Sequence, residues 1–241
     1  MSQMPSSFVF IVTYGRSGST VLQNLLNRLP GYLIRGENEN ALMHLVRSWA
    51  SVGLSRSGEK ARQRDVATLP HQPWYGIEDV DGDAYGRALA DLFIDSFLKP
   101  APDTRVCGFK EIRWHMGHPP NLRGQSFFEI QLDFMRRFFP DAKFIFNTRD
   151  LDEVLASGWW PSKNPKLSRA ALERANDLYK AYQAAHPECC LTLDYSEYKG
   201  NPEGLRPLFD FLAEPFDLGL AQSVLDQQLM HLQRPDETGE A

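Results

Sequence analysis

The stretch from Phe8 to Leu29 constrains this chain more than any other. Phe8, Val9, Phe10, Ile11 and Val12 form an unbroken apolar run of β-branched and aromatic side chains, which reads as a strand buried on both faces. Thr13 to Ser19 is small and polar, punctuated by Gly15 and Gly18. From Thr20 onward, Val21, Leu22, Leu25, Leu26 and Leu29 recur at helical spacing and leave Gln23, Asn24, Asn27 and Arg28 for the other faces. Strand, glycine turn and helix in succession present free backbone N–H groups and the positive end of a helix to an anion. Gly15 and Gly18 allow positive φ and a close backbone approach. Ser17, Ser19 and Thr20 add hydroxyl donors, and Arg16 adds a guanidinium fork suited to phosphate or sulfate oxygens. The turn is not the NTPase loop, in which a lysine follows the last glycine and reaches the β/γ-phosphates. Here Ser19 follows Gly18. An ordinary polar strand-to-helix turn would use the same residue types, so the rest of the chain must decide.

Further along, apolar runs at 105–110, 143–147 and 190–193 read as strands, with a short one at Tyr32 to Ile34. Helical patterns separate them, over 41–49, 85–98, 125–139, 152–159, 172–185, 205–212 and 219–232. The alternation calls for a mostly parallel sheet with helices on both faces, a three-layer α/β/α architecture. Residues 51–84 are rich in Ser, Gly, Arg and Asp and read as a mobile loop or lid. With no internal repeat or linker, the 241 residues are expected to form a single domain. Ligands in such sheets bind beyond the carboxyl ends of the strands. Three of those ends carry Arg16 and Ser17, Lys110 and Glu111, and Arg149 and Asp150, which should converge on one anionic site.

Composition removes several classes. A formal net charge of −5 argues against a general nucleic-acid binder. No apolar stretch approaches the length of a membrane span, and Phe8 to Val12 is too short for a signal-peptide core, so a cytoplasmic protein without a membrane partner is expected. The cysteines, Cys107, Cys189 and Cys190, include no C-x-x-C pair and read as reduced thiols with no metal site.

The second stretch names a family. Gly15-Arg16-Ser17-Gly18-Ser19-Thr20 after a leading strand resembles the 5′-phosphosulfate loop of sulfotransferases that use 3′-phosphoadenosine 5′-phosphosulfate (PAPS). Lys143 to Ser157, a strand followed by Arg149 and then Ser157 eight residues on, resembles their 3′-phosphate element. By spacing, the likeness is to the tyrosylprotein, carbohydrate and bacterial branches. It implies the P-loop-like sulfotransferase fold and PAPS as co-substrate, with Arg16, Ser17, Gly18, Ser19, Thr20, Arg149, Ser157 and Tyr195 around it. It implies Glu37 as catalytic base and Lys110, with Arg16, at the transferring group. A basic side chain late in the chain should complete the 3′-phosphate site; Lys199, Arg206 and Arg234 all qualify.

The base has rivals. Small-molecule sulfotransferases place a histidine shortly after the lysine, whereas Glu111 follows Lys110 here and His115 comes later. His115 also reads as a surface-loop histidine, and Glu111 as the partner of an ion pair with Arg113 or Arg16. The resemblance implies transfer of a sulfuryl group to a hydroxyl or amine of a carbohydrate or small metabolite, without a metal. Trp74, Tyr75, Trp159 and Trp160 are candidates to stack on that acceptor, or to be core. The alternatives are a small-molecule kinase with a degenerate phosphate loop and a non-catalytic nucleotide-binding protein.

Overall fold

The computed structural model describes residues 5–54, 56–63, 67–114 and 124–233. In chain order the elements are β1 (Ser7–Thr13), α1 (Ser19–Leu26), β2 (Tyr32–Arg35), α2 (Ala41–Gly53), α3 (Arg56–Gln63), α4 (Gly82–Phe93) and β3 (Val106–Glu111). Then come α5 (Phe127–Phe138), β4 (Ala142–Thr148), α6 (Leu151–Leu155), α7 (Pro165–Ala185), β5 (Cys190–Asp194), α8 (Tyr195–Tyr198), α9 (Arg206–Leu212) and α10 (Leu218–Gln233). The strands form one parallel sheet in the order β2-β3-β1-β4-β5. Helices flank it on both faces, as the alternation predicts.

β1 is the centre of the sheet because it is apolar on both sides. Phe8, Phe10 and Val12 join the core that α2, α4, α5 and α7 cover. Val9 and Ile11, the alternate residues, join the core under α1, α9 and α10. Phe10 alone meets the rings of Phe109, Phe139 and Phe144 at centroid distances of 5.2, 5.4 and 5.8 Å. Each such fully buried side chain contributes about 1.5–3 kcal/mol.

Two crossovers leave the sheet on opposite faces. α1 carries the chain from β1 past β3 to β2, packing on the second core. α5 carries it from β3 past β1 to β4, packing on the first. The carboxyl end of β1 therefore lies at the topological switch point, where α/β sheets open a crevice for ligands. α5 begins with a reciprocal cap: Ser126 Oγ accepts from Glu129 N at 3.2 Å while Glu129 Oε2 accepts from Ser126 N at 2.6 Å.

Several elements differ from the sequence expectation, among them α7, which begins at Pro165 rather than at 172. α1 stops at Leu26, because the Asn27 side chain turns away to pair with Ile34 N and O, both at 2.8 Å, and so fixes the entry to β2. The 51–84 segment contains the end of α2, all of α3 and a 3₁₀ turn at Ile77–Asp79. Its composition hides α3, whose RSGEKARQ sequence has no apolar stripe. Thr68 fastens this segment, its hydroxyl donating to Glu78 Oε2 at 2.7 Å and accepting from Gly76 N at 2.8 Å. α6 ends at Leu155 instead of running to Trp159, because Gly158 sits at φ +59. No described helix is long and apolar enough to cross a membrane.

Candidate active site

The loop after β1 is built around two left-handed residues, Arg16 at φ 71 and Gly18 at φ 85. Gly18 is required twice over. Its φ favours glycine, and a Cβ there would lie 2.3 Å from Tyr195 Cδ2. Gly18 also stands at the N-cap of α1, where no side chain caps the helix. The first-turn N–H groups of α1 are thus left without a side-chain cap, as an anion site at a helix start requires. Ser17 differs from expectation. Its residue is fully buried, and Thr13 Oγ1 lies 2.7 Å from both Ser17 Oγ and the Asn147 carbonyl. The carbonyl takes the Thr13 proton, so the Ser17 hydroxyl is engaged inward. Ser19 is also buried, whereas Thr20 is exposed.

Distant elements converge on this loop. Arg16 Nε donates to Ser157 Oγ at 3.0 Å, and Arg149 Nη1 donates to the Arg16 carbonyl at 3.2 Å. Ser157 stands just beyond α6 rather than on it, in a turn closed by its N–H on Val154 O at 3.0 Å. The Arg149 guanidinium lies 4.9 Å above the Tyr195 ring, and the Lys199 ammonium 5.9 Å from the same ring. The three C-terminal cations thereby separate. Lys199 faces the site, Arg206 pairs with Glu203 and stacks on Phe216 at 4.1 Å, and Arg234 lies outside the described residues.

On the other side of β1, Lys110 Nζ meets Glu37 Oε1 at 2.7 Å. β3 pairs in register with β1, Lys110 level with Ile11. Lys110 is buried and Glu37 half-exposed, so the carboxylate stands at the open side of the pair. Glu111 makes neither of the expected ion pairs. It is 1% exposed, and its carboxylate accepts from Ile112 N at 2.8 Å, Asn40 N at 3.1 Å and Asn38 N at 3.2 Å. Those bonds hold the segment after Glu37, in which Glu39 and Asn40 both take positive φ. Glu111 is therefore a clamp on the loop that carries Glu37, too enclosed to meet an acceptor. Arg113 pairs instead with Glu39. His115 lies outside the described residues. Glu111→Gln turns an N–H toward donors and should cost about 1–3 kcal/mol of stability, read by urea unfolding.

The tryptophans divide. Trp159 lies against the loop, close enough that a Cβ on Gly15 would sit 2.3 Å from its Cζ2, and it remains 46% exposed. Trp160 Nε1 donates to Gly15 O at 3.0 Å. Trp74 and Tyr75 are exposed on their own loop, where the Trp74 carbonyl accepts from Ile77 N at 3.0 Å.

Two residues that sequence reasoning missed brace the site from below. Tyr14, fully buried, accepts from Arg149 N at 3.0 Å and donates to Arg149 O at 3.1 Å, joining the loop to the end of β4. Burial pushes its phenol pKa up, so it stays neutral. Asn147, also fully buried, donates to Ser17 O at 2.8 Å and accepts from Tyr198 OH at 2.6 Å. A lone asparagine inside the apolar run of β4 was the available signal. Tyr14→Phe strands both backbone groups of Arg149 and should cost about 1–3 kcal/mol, measured by thermal or denaturant unfolding.

A family model described as "Sulfotransferase family" matches residues 8–217. The chain belongs to the sulfotransferase family and is a transferase of sulfuryl groups. Among solved structures, the crystal structure of sulfotransferase STF9 from Mycobacterium avium is similar over 97% of this chain and 70% of that one, at 14% identity and a TM-score of 0.41. No curated protein matches the chain.

Proposed function

We propose that this chain, as a single domain, moves the sulfuryl group of PAPS to a hydroxyl or amine of a small-molecule or carbohydrate acceptor. The observation that carries the reading is the bond from Arg16 to Ser157, with Arg149 on the Arg16 carbonyl. It joins the loop arginine to the two residues whose spacing resembles the 3′-phosphate element. PAPS supplies an activated sulfuryl group and a stable leaving group, adenosine 3′,5′-bisphosphate.

In this reading the backbone N–H groups of Ser17, Gly18, Ser19 and Thr20 hold the 5′-phosphate. Arg149 and Ser157 hold the 3′-phosphate, with Lys199 as the third contact, and Tyr195 forms the wall beneath. Glu37 takes the acceptor's proton as the new O–S or N–S bond forms and the S–O bond to the phosphate breaks. Lys110 and Arg16 stabilise the charge on the sulfuryl oxygens and on the departing phosphate. These cations take the part that Mg²⁺ plays in phosphoryl transfer. Trp159, exposed beside Gly15, offers the acceptor a ring to stack on. A kinase reading is disfavoured because Ser19 occupies the position of the NTPase lysine.

The test is turnover of PAPS against a panel of sugars, phenols and amines in buffer containing EDTA. Sulfated product and bisphosphate in equal amounts support the reading. Turnover that requires ATP and Mg²⁺ would overturn it.

A further inference from the structure

The proposed function leaves Glu153 without a part, yet its carboxylate sits in the middle of the basic cluster. Arg149 donates to Glu153 Oε2 from Nε at 2.9 Å and from Nη2 at 2.5 Å. Lys199 Nζ stands 3.7 Å from the same oxygen. The first turn of α6 is itself fixed, since Asp150 Oδ1 accepts from Glu153 N at 2.9 Å. Glu153 therefore holds its carboxylate at a defined place relative to the end of β4.

A guanidinium carries its N–H groups in a rigid planar fork. Glu153 takes the side of the fork that includes Nε, and the Arg16 carbonyl takes one N–H of Nη1. One N–H then remains on each terminal nitrogen. The guanidinium carbon also lies 4.9 Å from the centroid of the Tyr195 ring, so these contacts together hold the group in place. An arginine that is free to rotate would lose that freedom on binding an anion; one already held loses less.

We propose that Glu153 is a positioning residue for the nucleotide's second phosphate: it orients Arg149, with Lys199 beside it, so that the open end of the guanidinium meets two phosphate oxygens. This inference rests on the proposed donor. A plain surface ion pair at helix spacing would stabilise the fold slightly and leave ligand discrimination untouched.

Glu153→Gln separates the two. Calorimetric titration of wild type and variant with adenosine 3′,5′-bisphosphate and with adenosine 5′-phosphate isolates the second phosphate. The bisphosphate should weaken about 5- to 20-fold in the variant, the size of one disordered charge-assisted bond. Binding of adenosine 5′-phosphate should not change. KM for the donor should rise by the same factor at unaltered kcat, and the melting temperature should stay within about 2 °C. Three results would overturn the inference: bisphosphate affinity unaltered, both nucleotides weakened equally, or bisphosphate bound more tightly because the carboxylate merely repels it. If wild type itself fails to prefer the bisphosphate, the donor reading falls and this inference with it. If wild type discriminates and the variant discriminates equally, this inference alone fails.

Discussion

Glu37→Gln is expected to lower kcat by about 10²- to 10⁴-fold, the contribution of a positioned general base. Glutamine keeps the shape of the side chain and an oxygen for Lys110 Nζ, which now lies 2.7 Å from Glu37 Oε1. The clamp from Glu111 to Asn38 and Asn40 holds the backbone that follows in either protein. What is lost is the capacity to take a proton, so kcat should fall while the affinity for adenosine 3′,5′-bisphosphate stays at the wild-type value. Steady-state kinetics with calorimetry on the same preparation checks both halves. Turnover at the wild-type level would remove Glu37 from the mechanism.

Lys110→Met is expected to cost about 10²- to 10³-fold in kcat, the scale seen when one preorganised donor to a developing negative charge is removed. The lysine is 7% exposed, and methionine fills the same slot in β3 without the charge. The effect should appear in the chemical step, because the proposed function sets the lysine at the transferring group. Because the two side chains touch, the Glu37→Gln/Lys110→Met double variant should lose less than the product of the single losses. A double variant that loses the full product would place the two residues in independent roles.

The sequence carried the local and periodic features of this fold and lost the distant ones. β1 was legible because its run is apolar at every position, and its alternate residues do serve two cores. The turn at Gly15 to Thr20 was legible because glycine has few other uses between a strand and a helix. The approach of Arg149 to Arg16 followed from parallel strands ending at one edge, and that of Ser157 from the resemblance to the 3′-phosphate element. By contrast, the role of Glu111 depends on Asn38 and Asn40, more than seventy residues away in sequence (|i−j| of 73 and 71). Glutamate after lysine at a strand end reads equally well as a base, an ion-pair partner or a clamp until the opposing loop is placed. Ser17 misleads for the same reason: its hydroxyl faces Thr13 and Asn147, which only the pairing of β1 with β4 brings near. The length of α6 was overestimated because Gly158 and the pull of Trp160 on Gly15 O end it, and the second of these is tertiary.

The proposed function stands or falls on where a nucleotide with two phosphates sits. A crystal soaked with adenosine 3′,5′-bisphosphate should place its 5′-phosphate on the N–H groups between Ser17 and Thr20, and its 3′-phosphate on Arg149 and Ser157. Glu37 and Lys110 should border an open cleft beside Trp159. A 3′-phosphate directed into solvent, or a nucleotide bound away from the Arg16 loop, would contradict it.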